Sequence, residues 1–158
     1  CAQQAASSYT QPFSKARSKF IFTPLSNSAV DEIISYITQL QIQQAPYLFY
    51  LELGSGGGAL LDGNSAYFPR MAFAWLFLFL YWDHQDQSAP ALASINSIYN
   101  ALEPFTSPYS YANLVDYELG NTYLNAYYGT NVPQLVQIKN KYDPLNIFKW
   151  QQSIPLTI

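Results

Sequence analysis

One cysteine, one histidine and one methionine among 158 residues leave little of the usual catalytic vocabulary. The single cysteine, Cys1, excludes an internal disulfide and any cysteine-rich metal site. The single histidine, His84, argues against a histidine-based zinc site or a Ser-His-Asp triad, and no metal ligands are assigned. Set among Gln85, Asp86 and Gln87, it reads as a solvated loop residue. Charge is scarce as well. Asp, Glu, Lys and Arg make up 11% of the chain, against roughly 25% in ordinary soluble domains. With a net charge of −3 and no lysine or arginine stripe to neutralise phosphates, nucleic acid is excluded as a partner. No apolar run is long enough for a membrane span. Met71 to Trp82 falls short of the ~20 residues required and reads instead as a buried strand. No signal peptide is visible, and Cys1 is read as a cut end of a longer protein rather than a lipid-carrying first residue. Localisation stays open, with secreted or periplasmic set ahead of cytoplasmic.

What the chain has in quantity is aromatic side chains: 14 Tyr, 10 Phe and 3 Trp, or 17%. That suits an aromatic-walled pocket or an extensive domain interface. The length suits one domain with a sizeable core. Residues 1–14 read as a flexible lead-in or cut end. Strands are predicted near 18–23, 47–53 and 72–82, with a short one near 109–113, and helices near 28–42, 88–103 and 131–141. This is an α+β pattern, a mainly antiparallel sheet covered by helices. The third strand is apolar on both faces, with Phe73, Trp75, Phe77, Phe79 and Tyr81 on one side, so it belongs in the middle of a covered sheet.

Helix ends are signalled by their chemistry. Ser28 is the expected cap of the first helix, ahead of an apolar stripe of Val30, Ile33, Ile34, Ile37 and Leu40. Ser88 is expected to cap the second, with Pro90 in its first turn. Asn131 can cap the last, whose face carries Val132, Leu135, Ile138 and Tyr142. Lys139 and Lys141 sit at the negative end of that helix, and Asp143-Pro144 stops it.

Two motifs bear on function. The run Glu52-Leu53-Gly54-Ser55-Gly56-Gly57-Gly58 looks like the first motif of an S-adenosylmethionine-dependent methyltransferase, whose glycines let backbone approach the cofactor at a strand-to-helix turn. Its context is poor, because Asp62-Gly63-Asn64 and Pro69 leave no helical window behind it. The other is longer. Tyr128, Gly129, Asn131, Leu135, Lys139, Lys141, Tyr142, Asp143, Pro144, Asn146, Phe148 and Gln152-Ser153-Ile154 fall, without a gap, on the closing pattern of a known family.

This tail resembles the C-terminal signature of the berberine-bridge-enzyme-like FAD-linked oxidases. Further matches lie at Gly57-Gly58-Ala59, at Ser65-Ala66-Tyr67-Phe68-Pro69-Arg70, and at Tyr111, Asn113, Asp116, Leu119 and Gly120. The resemblance implies that residues 15–125 are the second part of a substrate-binding domain. Residues 126–158 would be a segment packing on a missing N-terminal FAD-binding domain. It implies FAD as cofactor and a small-molecule substrate, an alcohol, amine or sugar-like carbon, from which hydride passes to flavin. It carries over Asn131, Asn113 and Tyr111 as cofactor contacts, and Phe77 and Arg70 as substrate-pocket residues. The catalytic residue is unassigned: Leu114 stands where a tyrosine is usual, and leucine holds no proton. Pro69, Phe77, Leu114 and Gln134 together also admit a catalytically degenerate relative acting as a binding or structural protein. Cut from its partner domain, the fragment is expected to be inactive and prone to association.

Overall fold

A computed structural model of the chain describes residues 13–63 and 67–158. The predicted lead-in over residues 1–12, and Ser65-Ala66 of the family-like segment, lie outside the described residues. Phe13 and Ser14, assigned to the lead-in, instead begin the first strand. The elements run β1 (Phe13–Ile21), α1 (Asn27–Ile42), β2 (Leu48–Ser55), β3 (Ala74–Trp82), α2 (Ser88–Ala101), α3 (Tyr123–Tyr128) and α4 (Val132–Tyr142). The sheet order is β1-β3-β2, and β3 is antiparallel to both neighbours. α1 therefore carries the chain between two outer strands that leave room for β3 to slot in later. The fold is α+β, as the pattern predicts.

β3 lies in the centre, as its two apolar faces require, and the faces meet different surroundings. Leu76, Leu78 and Leu80 are fully buried. They form one core with Ile95, Ile98 and Leu102 at the α2 end of the molecule. α1 joins through Tyr36, whose ring meets Phe49 edge-on at 5.0 Å and whose hydroxyl lies 2.9 Å from Ser94 Oγ. The opposite face, Trp75, Phe77, Phe79 and Tyr81, is only half-buried and carries no helix among the described residues.

Several local expectations shift. Ser26, not Ser28, caps α1: its Oγ accepts from Ala29 N–H at 3.2 Å, which moves the start of the helix upstream. The buried face of α1 is Ala29 and Tyr36, flanked by Ile33 and Leu40, while Val30 and Ile34 are exposed. Ser88 does not cap α2 but accepts from Trp82 Nε1–H at 2.9 Å. A 3₁₀ turn at Gln85–Gln87 leads into α2, and Gln87 Oε1 accepts from the Asp83 and His84 backbone. Residues 109–113 form no strand. Ser18 Oγ accepts from Tyr111 N–H at 2.8 Å and Ser110 Oγ donates to Ser18 O at 3.0 Å, so serine side chains hold this segment along β1 in place of a ladder. Val132 of α4 is buried, whereas Ile138 and Tyr142 face outward.

The Asp143-Pro144 stop holds and does more. Asp143 accepts from the Lys139 ammonium and from the backbone N–H groups of Ile147 (2.7 Å) and Phe148 (3.0 Å), folding the tail back on α4. The Lys139 hydrogen bond, with these two amides, holds the Asp143 carboxyl below the usual carboxylate range. A lowered folded-state pKa stabilises above the unfolded value and is lost as pH falls through the folded one. The acid limb of a stability-versus-pH curve should therefore steepen below the ordinary carboxylate range in wild type. In Asp143→Asn that contribution should vanish, and identical acid limbs for the two proteins would count against the clamp. No helix among the described residues is long and apolar enough to cross a membrane.

Candidate functional site

The open face of the sheet is built by register. Glu52 is paired with Phe77 and Gly54 with Trp75, so these side chains share the face away from the helices. Phe20 is paired with Trp75 from the other edge. Above them sit Tyr67, from the β2–β3 connection, and Tyr111, held by its bond to Ser18. Together with Leu60 these residues line a cleft of ≈ 380 Å³.

The rings form a continuous wall. Trp75 stacks with Phe77 (centroids 6.3 Å), and Phe77 with Tyr111 (5.5 Å, 17° between planes). Tyr111 meets Tyr67 edge-on, and Tyr67 meets Phe20 in the same way. Burial pushes the Tyr67 phenol up, so it stays protonated at neutral pH. Asn113 Nδ2 donates to the Tyr111 hydroxyl at 3.1 Å. Trp75 Nε1–H is buried and has no hydrogen-bond partner among the described residues. Glu52 is the single carboxylate in the lining, and no hydrogen bond or ion pair engages it among the described residues.

Gly54 is required here by close approach. A Cβ at this position would lie 2.1 Å from the Trp75 indole. Gly54→Ala should displace the indole and destabilise the protein by about 1–3 kcal/mol through overpacking. Urea unfolding and the near-ultraviolet tryptophan signal check this together, and an unchanged signal would contradict it.

The residues carried over by resemblance divide. Tyr111 and Phe77 line the cleft, and Asn113 reaches it through Tyr111. Arg70 stands just outside: Nη1 donates to Leu60 O at 2.8 Å, and its charge lies 5.8 Å from the Tyr67 ring centroid. Asn131 is not in the lining. It ends a 3₁₀ turn before α4 and makes no capping bond to that helix. Two residues earlier Gly129 lies beneath the Phe68 ring, and Phe68 packs edge-on against Tyr109 at 4.7 Å. Leu114 closes a turn, its N–H donating to Tyr111 O at 2.9 Å.

The methyltransferase reading fails on topology. The glycine run ends a strand antiparallel to its neighbour and enters one 3₁₀ turn, Gly58–Leu60, so no helix N-terminus is presented to a cofactor. Glu52 drew notice in the sequence only as the first letter of that motif. Its place in the cleft follows from its pairing with Phe77, which no local signal reveals.

Comparison with known proteins agrees with this architecture. The family model described as berberine and berberine like matches residues 110–155. The chain is 30% identical over 146 residues to the uncharacterized FAD-linked oxidoreductase YgaK of Bacillus subtilis, covering 92% of this chain and 32% of that protein. It is 31% identical over 107 residues to YvdP, another uncharacterized FAD-linked oxidoreductase of that organism, covering 68% of this chain and 24% of the relative. Among solved structures, BBE-like #28 from Arabidopsis thaliana superposes with a TM-score of 0.80 at 22% identity, over 92% of this chain and 34% of that one, which shows the fold. The chain thus spans a third or less of the length of the curated relatives it matches. It belongs to the berberine-bridge-enzyme-like family.

Proposed function

We propose that this chain is the C-terminal part of an FAD-linked oxidoreductase and that the aromatic cleft is one wall of its substrate pocket. The observation that carries the reading is the cleft itself: five contiguous rings, one carboxylate and an indole N–H without a partner among the described residues, on a sheet face that no described helix covers. A planar ring system suits such walls, and a ligand acceptor would satisfy the Trp75 donor. FAD, when bound, would take up the hydride lost by an alcohol, amine or sugar-like carbon. The chain's own residues do the rest. Asn113, Tyr111 and Asn131 are the flavin-holding candidates, while Phe77 and the nearby Arg70 shape the substrate side.

An N-terminal FAD-binding domain is the proposed partner. The tail supports this, because Leu145, Ile147 and Phe148 are 70–80% exposed on one stretch of chain. Leu114 favours a second reading, a degenerate relative that binds without turning over, since its turn offers no proton acceptor beside Tyr111.

The test is a visible absorption spectrum of the complete protein, before and after acid precipitation. A flavin spectrum bleached by substrate supports the oxidoreductase, and flavin without turnover supports the degenerate relative. A colourless folded protein overturns both. Asn131→Ala in the complete protein should lower flavin content or shift its bands, and unchanged values remove Asn131 from the site.

A further inference from the structure

We propose that the cleft binds an organic cation, a substituted ammonium group, with Glu52 as its counter-charge. The inference rests on the cleft being the substrate pocket and narrows the substrate to an amine.

The lining chemistry is one-sided. Trp75, Phe77, Tyr111, Tyr67 and Phe20 present ring surfaces in unbroken succession. The face of an aromatic ring is the negative end of its quadrupole, so a cleft lined by five rings and one carboxylate attracts a cation and tolerates its alkyl groups. Glu52 projects from β2 on the face of Phe77 and is engaged by no hydrogen bond or ion pair among the described residues. A carboxylate left unpaired beside five rings has a charge available for a ligand. The volume, ≈ 380 Å³, lies within the usual range for small-molecule sites.

The alternatives fit less well. A sugar needs a set of hydrogen-bonding groups to replace the water its hydroxyls lose. Apart from Glu52, the described lining offers a sugar the Trp75 N–H and the phenols of Tyr67 and Tyr111, which are too few for its hydroxyls. An anion would meet Glu52, and Arg70, which stands outside the lining, already donates to the Leu60 carbonyl.

The test uses the complete protein and two probes of one shape. Benzyltrimethylammonium carries the charge, and neopentylbenzene replaces the charged nitrogen with carbon. Calorimetric titration should show the cation binding about tenfold or more tightly than its neutral isostere. Glu52→Gln should abolish this preference while leaving the neutral probe unaffected. Phe77→Ala should weaken both. Because Glu52 is exposed, its substitution should not disturb folding. Raising the salt concentration supplies an independent readout, weakening the cation and not its isostere. Equal binding of the two probes, or a preference that survives Glu52→Gln, overturns the proposal. The colour of the same sample separates this result from the flavin reading. A yellow protein without the preference overturns the cation site alone. A colourless one with a Glu52-dependent preference upholds the cation site and overturns the oxidoreductase.

Discussion

Asp116→Ala is expected to destabilise the protein by about 3–5 kcal/mol, the usual cost of removing one partner from a buried ion pair. The Asp116 side chain is fully buried. Its Oδ2 accepts from Arg17 Nε at 2.8 Å, and its Oδ1 from Lys15 Nζ at 2.7 Å and Glu118 N–H at 3.1 Å. Arg17 is nearly as buried, its guanidinium 3.4 Å from the centroid of the Tyr99 ring. Without the carboxylate, that cation keeps the Tyr99 ring, Asn96 and the partly exposed Glu118 among the described residues. The loss should fall toward the lower end of the range for this reason. The attraction between the charges is not itself the source of stability, since desolvating all of them offsets much of it. What the variant exposes is the cost of leaving Arg17 uncompensated. Equilibrium unfolding in urea measures it, and a loss under about 1 kcal/mol would show that Glu118 suffices.

The same cluster explains what the sequence conceals. β1 was expected to start near residue 18, and Lys15, Arg17 and Lys19 alternate with Ser14, Ala16 and Ser18, a pattern that by itself would turn the charges toward solvent. The structure reverses that pattern. The three cations share the helix-covered face with Leu80, Leu78 and Leu76, and the small residues face the open side. The carboxylates that pair with Lys15 and Arg17 lie about a hundred residues away, at Asp116 and Glu118, and Lys19 sits over the Tyr99 ring, 4.1 Å from its centroid. No window of local sequence holds both halves. Strong periodicity survives this, so β3, α1, α2 and α4 were legible within a few residues. Caps are harder, because Ser26 and Ser28 are equally good oxygens and only the position of the Ala29 N–H chooses between them.

The candidate site was legible in part for a similar reason. Tyr111 was named in the sequence as a match to the family's motif, and Phe77 because the register places it where that strand usually carries a Gln or Glu, and both line the cleft. Trp75 shared a face with Phe77 by simple alternation. Glu52, Tyr67 and Phe20 reach the cleft through strand pairing and ring packing between segments far apart in the chain. An unpaired carboxylate acquires meaning only when its cross-strand neighbour is known.

Tyr127→Phe should cost about 2–4 kcal/mol, because it orphans two buried groups at once. Tyr127 is buried in α3, and burial pushes its phenol up, so the hydroxyl is neutral and able to donate. That hydroxyl accepts from Asp116 N–H at 2.8 Å and donates to Gln152 Oε1 at 3.0 Å. Gln152 in turn donates from Nε2 to Asp116 O at 2.8 Å. Three residues from the loop before α3, from α3 and from the tail thereby close a ring of hydrogen bonds with no exposed member. This gives the family-like Gln152-Ser153-Ile154 a physical role, pinning the tail to the buried carboxylate loop. The ring also predicts strong non-additivity. Once Tyr127→Phe has broken it, Gln152→Leu should cost less than it does in wild type, because one of the lost bonds is already gone. A double-mutant cycle in urea should return a coupling of about 1 kcal/mol or more. Strictly additive losses would show that the two side chains stabilise the fold independently, and the tail would then be held by Asp143 and its two amides instead.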